Sequence, residues 1–201
     1  MNIRQTIILQ FLSIILISIG GCTKQETNTY RTAKDGKSYG GTFRINMVRG
    51  NPNGLDPVII NSKLADDIAL QIYDRLITFD SSLNVIPELA TNWEISPEGK
   101  LYTFHLRTDA YFHDNKCFPN GKGRKMTAHD VEYSLTRCCD PSTRSVHFWA
   151  FKDRVVGATE YNAARLAGSD SPKNINGIRV INDSTIQIEL ARANAPFLLT
   201  L

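Results

Sequence analysis

Residues 101–107 constrain the fold more than any other stretch of this chain. They read Leu101-Tyr102-Thr103-Phe104-His105-Leu106-Arg107. Apolar and polar side chains alternate, so Tyr102, Phe104 and Leu106 share one face while Thr103, His105 and Arg107 share the other. Only an extended strand places every second residue on one side. A slip of one residue would exchange the two faces, so the register is tightly specified. Trp93-Glu94-Ile95-Ser96 runs back across Pro97-Glu98-Gly99-Lys100, which predicts a β-hairpin with a four-residue loop. Ile178–Asn182 and Thr185–Leu190 predict a second hairpin turning at Asn182-Asp183-Ser184.

Helical spacing appears between these strands. Ala65, Ile68, Ala69, Ile72, Tyr73 and Leu76 predict a helix over 64–77, capped by Asn61 or Ser62, with Asp66 and Asp67 at its positive end. Thr127 with Asp130 three residues on is a capping-box pattern, with Asp in the place usually taken by Glu. Val131, Leu135 and Cys138 then form an inward stripe, and Asp140-Pro141 stops the helix. A shorter helix is expected over Glu160–Leu166, and Pro196 starts another. Phe43, Ile45 and Met47 alternate within Thr42–Met47, which predicts a first strand before the turn cluster Gly50-Asn51-Pro52-Asn53-Gly54. The expected core is Phe43, Ile45, Ile72, Leu76, Trp93, Tyr102, Phe104, Leu106, Val131 and Leu135. The fold class read from this is mixed α/β, a mixed sheet with flanking helices.

The first 22 residues form a separate signal. Arg4 precedes an apolar run from Ile7 to Ile19, interrupted only by Gln10, Ser13 and Ser18. That run is shorter than the roughly 20 residues a membrane span needs, and it has the length of a signal-peptide core. It ends in Ile19-Gly20-Gly21-Cys22, which resembles the lipobox of bacterial lipoproteins. The resemblance implies cleavage before Cys22, lipidation of its thiol, export and attachment to a bacterial membrane, facing the periplasm or exterior. An uncleaved anchor is the alternative. Residues 22–41 are polar and almost free of aliphatic side chains after Cys22, so a flexible tether is expected there. The expected organisation is therefore a signal peptide over 1–21, a tether over 22–41 and a globular lobe over 42–201.

Charge and motifs exclude several functions. The formal net charge of +3 falls to +2 once Arg4 leaves with the export segment. No basic cluster accompanies an aromatic platform, so nucleic acid is not an expected partner. No nucleophile elbow, no metalloprotease helix and no phosphate-binding glycine loop occurs, so no enzyme or cofactor is expected. Gly36-Lys37-Ser38 lies in the tether with no strand before it. His105, His113, Cys117 and His129 have zinc-ligand chemistry but match no compact metal-binding spacing, and no metal is assigned. Setting Cys22 aside, Cys117, Cys138 and Cys139 remain. Either Cys117 bridges one of the adjacent pair, or all three are small buried hydrophobes.

The order of short phrases carries a resemblance. Gly41-Thr42-Phe43-Arg44-Ile45, Leu55-Asp56-Pro57 and Gln71-Ile72-Tyr73-Asp74-Arg75-Leu76 come first. Leu83-Asn84-Val85-Ile86-Pro87-Glu88-Leu89-Ala90-Thr91-Asn92-Trp93-Glu94 and Tyr102–Arg107 follow. Phe112-His113-Asp114 and Thr127–Leu135 come next, then Ile175-Asn176-Gly177-Ile178 and Ala195-Pro196-Phe197-Leu198. In this order they resemble the family 5 solute-binding proteins of oligopeptide, dipeptide and nickel importers. The phrases are common to binders of peptides, nickel complexes, haem and sugars, because they build scaffold. Family members usually carry glycine after the Phe-His-Asp phrase. Here Asn115 follows, and 116–125 forms an enlarged basic loop.

The resemblance implies part of one lobe of a two-lobed periplasmic-binding-protein-like fold (type II, cluster C) that closes over its solute. It implies a peptide or related small solute, ABC-importer permease subunits as partners, and a membrane contacted through the lipid. The apolar ending Ala195–Leu201 has no C-cap or polar tail, so a truncated reading frame or fragment is expected. Two loops are expected to contact solute. Val48–Leu55 carries Arg49, Asn51 and Asn53, and Ser142–Trp149 carries His147 and Trp149. The alternative for Trp149 is ordinary packing, and the alternative for the whole chain is an exported structural or interaction lipoprotein.

Overall fold

The computed structural model describes residues 31–32, 36, 38–42, 44–47, 50, 52, 54–170 and 172–201. The chain divides into two units, Met1–Met47 and Val48–Leu201. In the first, β1 (Arg31–Thr32) pairs antiparallel with β2 (Ser38–Tyr39), a short ladder within the stretch expected as a flexible tether. The strand predicted over Thr42–Met47 does not form. Thr42 and Arg44–Met47 are irregular, and Ile45 is 51% exposed instead of belonging to the core. Alternation alone does not make a strand; a ladder partner is required, and no described segment pairs with these residues. Phe43 lies outside the described residues.

The second unit is built on a four-stranded antiparallel sheet in the order β5-β6-β8-β7. Its strands are β5 (Ala90–Ile95), β6 (Leu101–Leu106), β7 (Ile178–Asn182) and β8 (Thr185–Glu189). The two predicted hairpins thus join edge to edge through β6 and β8, with Phe104 opposite Ile186 and Tyr102 opposite Ile188. One face carries Tyr102, Phe104, Leu106, Ile178, Ile186 and Ile188, all buried. The Tyr102 ring meets Phe197 edge-on at 5.4 Å, and its hydroxyl donates to the Asn194 carbonyl at 3.3 Å. That contact seats the 3-10 segment Ala195–Thr200 that Pro196 opens. Thr103 and Gln187 lie on the opposite face and bond side chain to side chain at 3.1 Å.

Helix α2 (Ala128–Cys139) packs on β7 and β8, and α3 (Ala158–Leu166) packs on α2. The Asp130 carboxylate accepts from the Thr127 backbone N–H at 2.8 Å, the reach-back bond expected of the capping pattern. Helix α1 (Lys63–Ala69) is shorter than predicted. The Ser62 hydroxyl accepts from the Ala65 N–H as its cap. The helix then stops at Leu70, and Ile77–Phe79 forms β3 against β4 (Val85–Pro87). The apolar period of two over 77–79 overrides the helical continuation. Asp80 locks the connecting turn by accepting from the Ser82 and Asn84 N–H groups at 2.8 and 2.9 Å. Ile72 and Tyr73, predicted on the buried stripe, are exposed as a result, and Ile72 leaves the core.

Gly177 shows why the Asn-Gly-Ile phrase needs its glycine. A Cβ there would sit 2.7 Å from the Val156 carbonyl oxygen and 2.8 Å from that of Glu189. The close approach lets the Gly177 N–H bond Val156 and its carbonyl accept from Glu189, each at 2.7 Å.

Cys117, Cys138 and Cys139 are all free, so the bridged alternative is not the one adopted. Cys139 is buried, Cys138 half-buried and Cys117 exposed. Burial pushes the Cys138 thiol up to about 11 and the Cys139 thiol up to about 12. Among the described cysteines, only Cys117 is expected to react with maleimide at neutral pH in the native state, with Cys138 and Cys139 following in denaturant. Mass spectrometry after labelling checks this; three labels taken up natively would contradict the packing of α2.

Candidate functional site

The break after α1 creates a groove. Leu70, Ile72 and Tyr73 form one wall, where the chain leaves the helix and descends toward β3. The Arg75 N–H is tied to the Glu88 carboxylate at 3.1 Å, which fixes this descent. Tyr111, Phe112 and Phe118, on the loop after β6, form an aromatic wall. Leu76, Met126, Val131 and Leu135 also line the groove. The volume is about 930 Å³, within the range of small-molecule sites.

The aromatic wall is held by a defined set of bonds. Tyr111 bridges to Lys125, the Phe112 N–H donates to the Arg124 carbonyl at 3.0 Å, and the Met126 N–H to the Ala110 carbonyl at 3.0 Å. The Arg124 guanidinium stacks 4.9 Å from the Phe112 ring centroid and pairs through two nitrogens with Asp130 in the first turn of α2. Burial works upward on the Asp130 carboxyl. Its bonds to Arg124 and Thr127 outweigh that and hold it below the usual carboxylate range. Asp114 accepts from the Gly123 N–H at 3.0 Å and from Lys122 at 2.6 Å. Lys122 and Arg124, two of the cations in the enlarged loop, are therefore already neutralised within it.

The groove is mainly apolar in its lining, with a minority of polar and charged side chains. Lys63, Asp66, Asp74, Arg75, His113 and His147 reach it. Lys63 is paired with Asp66 and Asp67. A site of this character takes an apolar body and orients it through a few polar groups.

The structure separates the residues expected to contact solute. His147 is half-buried and lines the groove beside Pro57 and Ile60. Trp149, two residues on, is 59% exposed and does not line it; the Arg154 guanidinium lies 5.5 Å from its ring. Arg49, Asn51 and Asn53 lie outside the described residues, as does Cys22. The zinc-type side chains are dispersed. His105 is 3.6 Å from Glu94 on the sheet, His129 is 3.6 Å from Glu132, and only His113 reaches the groove. Among the described residues no three His, Cys, Asp or Glu side chains converge as a metal site. Tyr111, Phe112, Phe118 and Met126 escaped sequence reasoning. The signal for the three aromatics was the aromatic density of 111–118, which sits in a stretch without periodicity.

Solved structures place this arrangement in a class. The fold is similar to the periplasmic binding protein DppA from Helicobacter pylori in complex with the peptide STSA, with a TM-score of 0.57 and 29% identity. The alignment covers 73% of this chain and 27% of that one. It is likewise similar to Burkholderia pseudomallei OppA, with a TM-score of 0.59 and 28% identity, covering 73% and 26% of the two chains. The α/β unit is thus part of a periplasmic-binding-protein fold. Residues 84–201 match the family model of bacterial extracellular solute-binding proteins, family 5 Middle, and the chain belongs to that family. The dipeptide-binding protein of Escherichia coli K12 is 34% identical over 151 residues, which is 74% of this chain and 26% of that protein. Heme-binding protein A of Haemophilus influenzae is 29% identical over 203 residues, covering all of this chain and 35% of that protein. The chain therefore spans about a quarter to a third of the length of these relatives.

Proposed function

We propose that this chain belongs to the solute-capturing component of an ABC-type importer, taking peptides outside the cytoplasmic membrane. The observation that carries the reading is the family match over 84–201, the same stretch that builds the sheet, α2 and the aromatic wall of the groove. Peptide is preferred among solutes because the DppA neighbour is a peptide complex and the E. coli relative is a dipeptide-binding protein. The chemistry of the groove agrees: apolar lining suits side chains, and the charged side chains among it suit termini. No catalytic role is assigned. The expected partners are the importer's permease subunits.

Equilibrium dialysis of protein purified from its native membrane, against labelled dipeptides and tripeptides, tests the solute. Saturable retention is expected. Saturation by haem or a bile acid in place of peptide would overturn the peptide reading.

The lipid anchor on Cys22 completes the proposal. An exported globule tethered through residues 22–41 stays near the permease without entering the bilayer. Cys22→Ser should leave an unprocessed precursor and abolish fatty-acid labelling in the host. Labelling that persists, or a mature N-terminus elsewhere, would refute the anchor.

A further inference from the structure

The phrase Leu55-Asp56-Pro57 does more than start a turn. Pro57 opens a 3-10 turn over Pro57–Ile59, and the Asp56 carboxylate caps it by accepting from the Val58 N–H at 3.2 Å. The same carboxylate receives both terminal nitrogens of Arg137, at 3.1 and 2.5 Å. Arg137 sits 81 residues away, in the last turn of α2. Its guanidinium also lies 6.0 Å from the Tyr133 ring centroid. A second tie runs beside the first: the Val146 N–H donates to the Val58 carbonyl at 3.3 Å. The stretch between Arg137 and Val146 is itself braced. The Thr143 hydroxyl is within hydrogen-bond distance of the Arg137 and Asp140 carbonyls, at 2.9 and 2.7 Å, and Asp140 caps the turn at Ser142 at 2.8 Å.

These bonds join two segments that are remote in sequence. One carries Pro57 and Ile60, which line the groove. The other ends at His147, which lines it with them. We infer that Asp56 and Arg137 are positioning residues that set the spacing of two groove-lining segments, the one carrying Pro57 and Ile60 and the one carrying His147. The inference rests on the solute-binding reading. A bidentate carboxylate–guanidinium pair suits this role because it fixes orientation as well as distance. Its side chains keep part of their exposure, 40% for Asp56 and 32% for Arg137. Solvent screening at that exposure makes the pair a weak stabiliser of the fold. The consequence of losing it is therefore read in geometry more than in melting temperature. Arg137 first of all draws the Asp56 carboxyl below its ordinary range, so the pair is fully charged at neutral pH.

The test uses the full-length protein with Asp56→Asn, Arg137→Gln, the double variant and Arg137→Lys. Three readouts are taken: exchange of the Val146 amide, retention of a labelled tripeptide, and melting temperature. Each single variant is expected to speed Val146 exchange and weaken tripeptide retention about threefold to tenfold. The double variant should be no worse than either single one, because the two groups act as a unit. Arg137→Lys keeps the charge and loses the fork. It is expected to lose tripeptide affinity with its melting temperature unchanged. Affinity that falls only in parallel with melting temperature would reduce the pair to a structural role and overturn the inference. Val146 exchange and retention equal to wild type would overturn it as well. If the wild-type protein retains no tripeptide, the solute-binding reading fails, and the positioning role fails with it, while Val146 exchange still reports the tie.

Discussion

Replacing Phe104 by alanine should destabilise the protein by about 3–5 kcal/mol, the cost of emptying a large aromatic from a closed core. Phe104 is 0% exposed. It lies in the middle of β6, opposite Trp93 on β5 and Ile186 on β8, so neither neighbouring strand can move in to fill the space. Its ring stacks at 6.4 Å from Tyr102, which in turn seats Phe197. Losing it would loosen three contacts in series, from the sheet to the 3-10 segment. Domains are typically stable by only about 5–15 kcal/mol, so this one change removes a large share. For a unit of this size a drop in melting temperature of about 6–20 °C follows, measurable by calorimetry or circular dichroism. Thr103→Ala, one residue away on the other face, should shift it by far less. A larger effect at Thr103 than at Phe104 would show that the strand is in the opposite phase.

Gly123→Ala is expected to be the most damaging change near the groove. A Cβ at Gly123 would lie 1.7 Å from the Phe112 carbonyl oxygen and 2.6 Å from its carbon. Those are backbone atoms, so no rotamer can relieve the clash. The chain must part between Phe112 and Arg124. That breaks the Phe112–Arg124 bond, pulls Asp114 from the Gly123 N–H and unstacks Arg124 from Phe112. The aromatic pair Phe112 and Phe118, 5.7 Å apart, loses its support. A destabilisation of about 1–3 kcal/mol is expected from the overpacking, with peptide retention falling further than stability because the lost element is the groove wall. Gly121→Ala is the comparison. It lies in the same loop with φ +69 and nothing within 4 Å, so only backbone strain of about 1–2 kcal/mol is incurred. Peptide retention in Gly121→Ala should stay near wild type. Loss of retention in both variants would detach the effect from the wall.

The contrast between these positions explains how much was legible in the sequence. Alternation over 101–107 and 185–190 specified strands, faces and hairpin partners, because burial of one face leaves a single acceptable register. Thr127 with Asp130 and Asp140-Pro141 marked the ends of α2, because caps and proline act within a few residues. Helix α1 was overextended because Ile72, Tyr73 and Leu76 fit a helical stripe, while the Asp80 turn that draws Ile77 into β3 is a local rival with the same residues. Thr42–Met47 read as a strand because alternation carries no information about a partner.

The candidate site was less legible. His147 was reached through the loop after α2, and it does line the groove, whereas Trp149 on the same loop points to Arg154 and not to the groove. Tyr111 and Phe112 are held by bonds to Lys125 and Arg124, with the Phe118 ring against Phe112, and a loop closed on itself has no period to read. The tie between Asp56 and Arg137 spans 81 residues, so neither residue announces the other in sequence.

Peptide uptake by the host is the direct measure of whether this protein captures peptides for import. Uptake of radiolabelled dipeptides and tripeptides should fall, on deletion of the gene, to the level of a strain lacking the cognate permease. A plasmid copy should restore it, and a copy carrying Gly123→Ala should not. Undiminished peptide uptake in the deletion strain, under conditions where the wild type expresses the protein, would contradict a role in peptide capture.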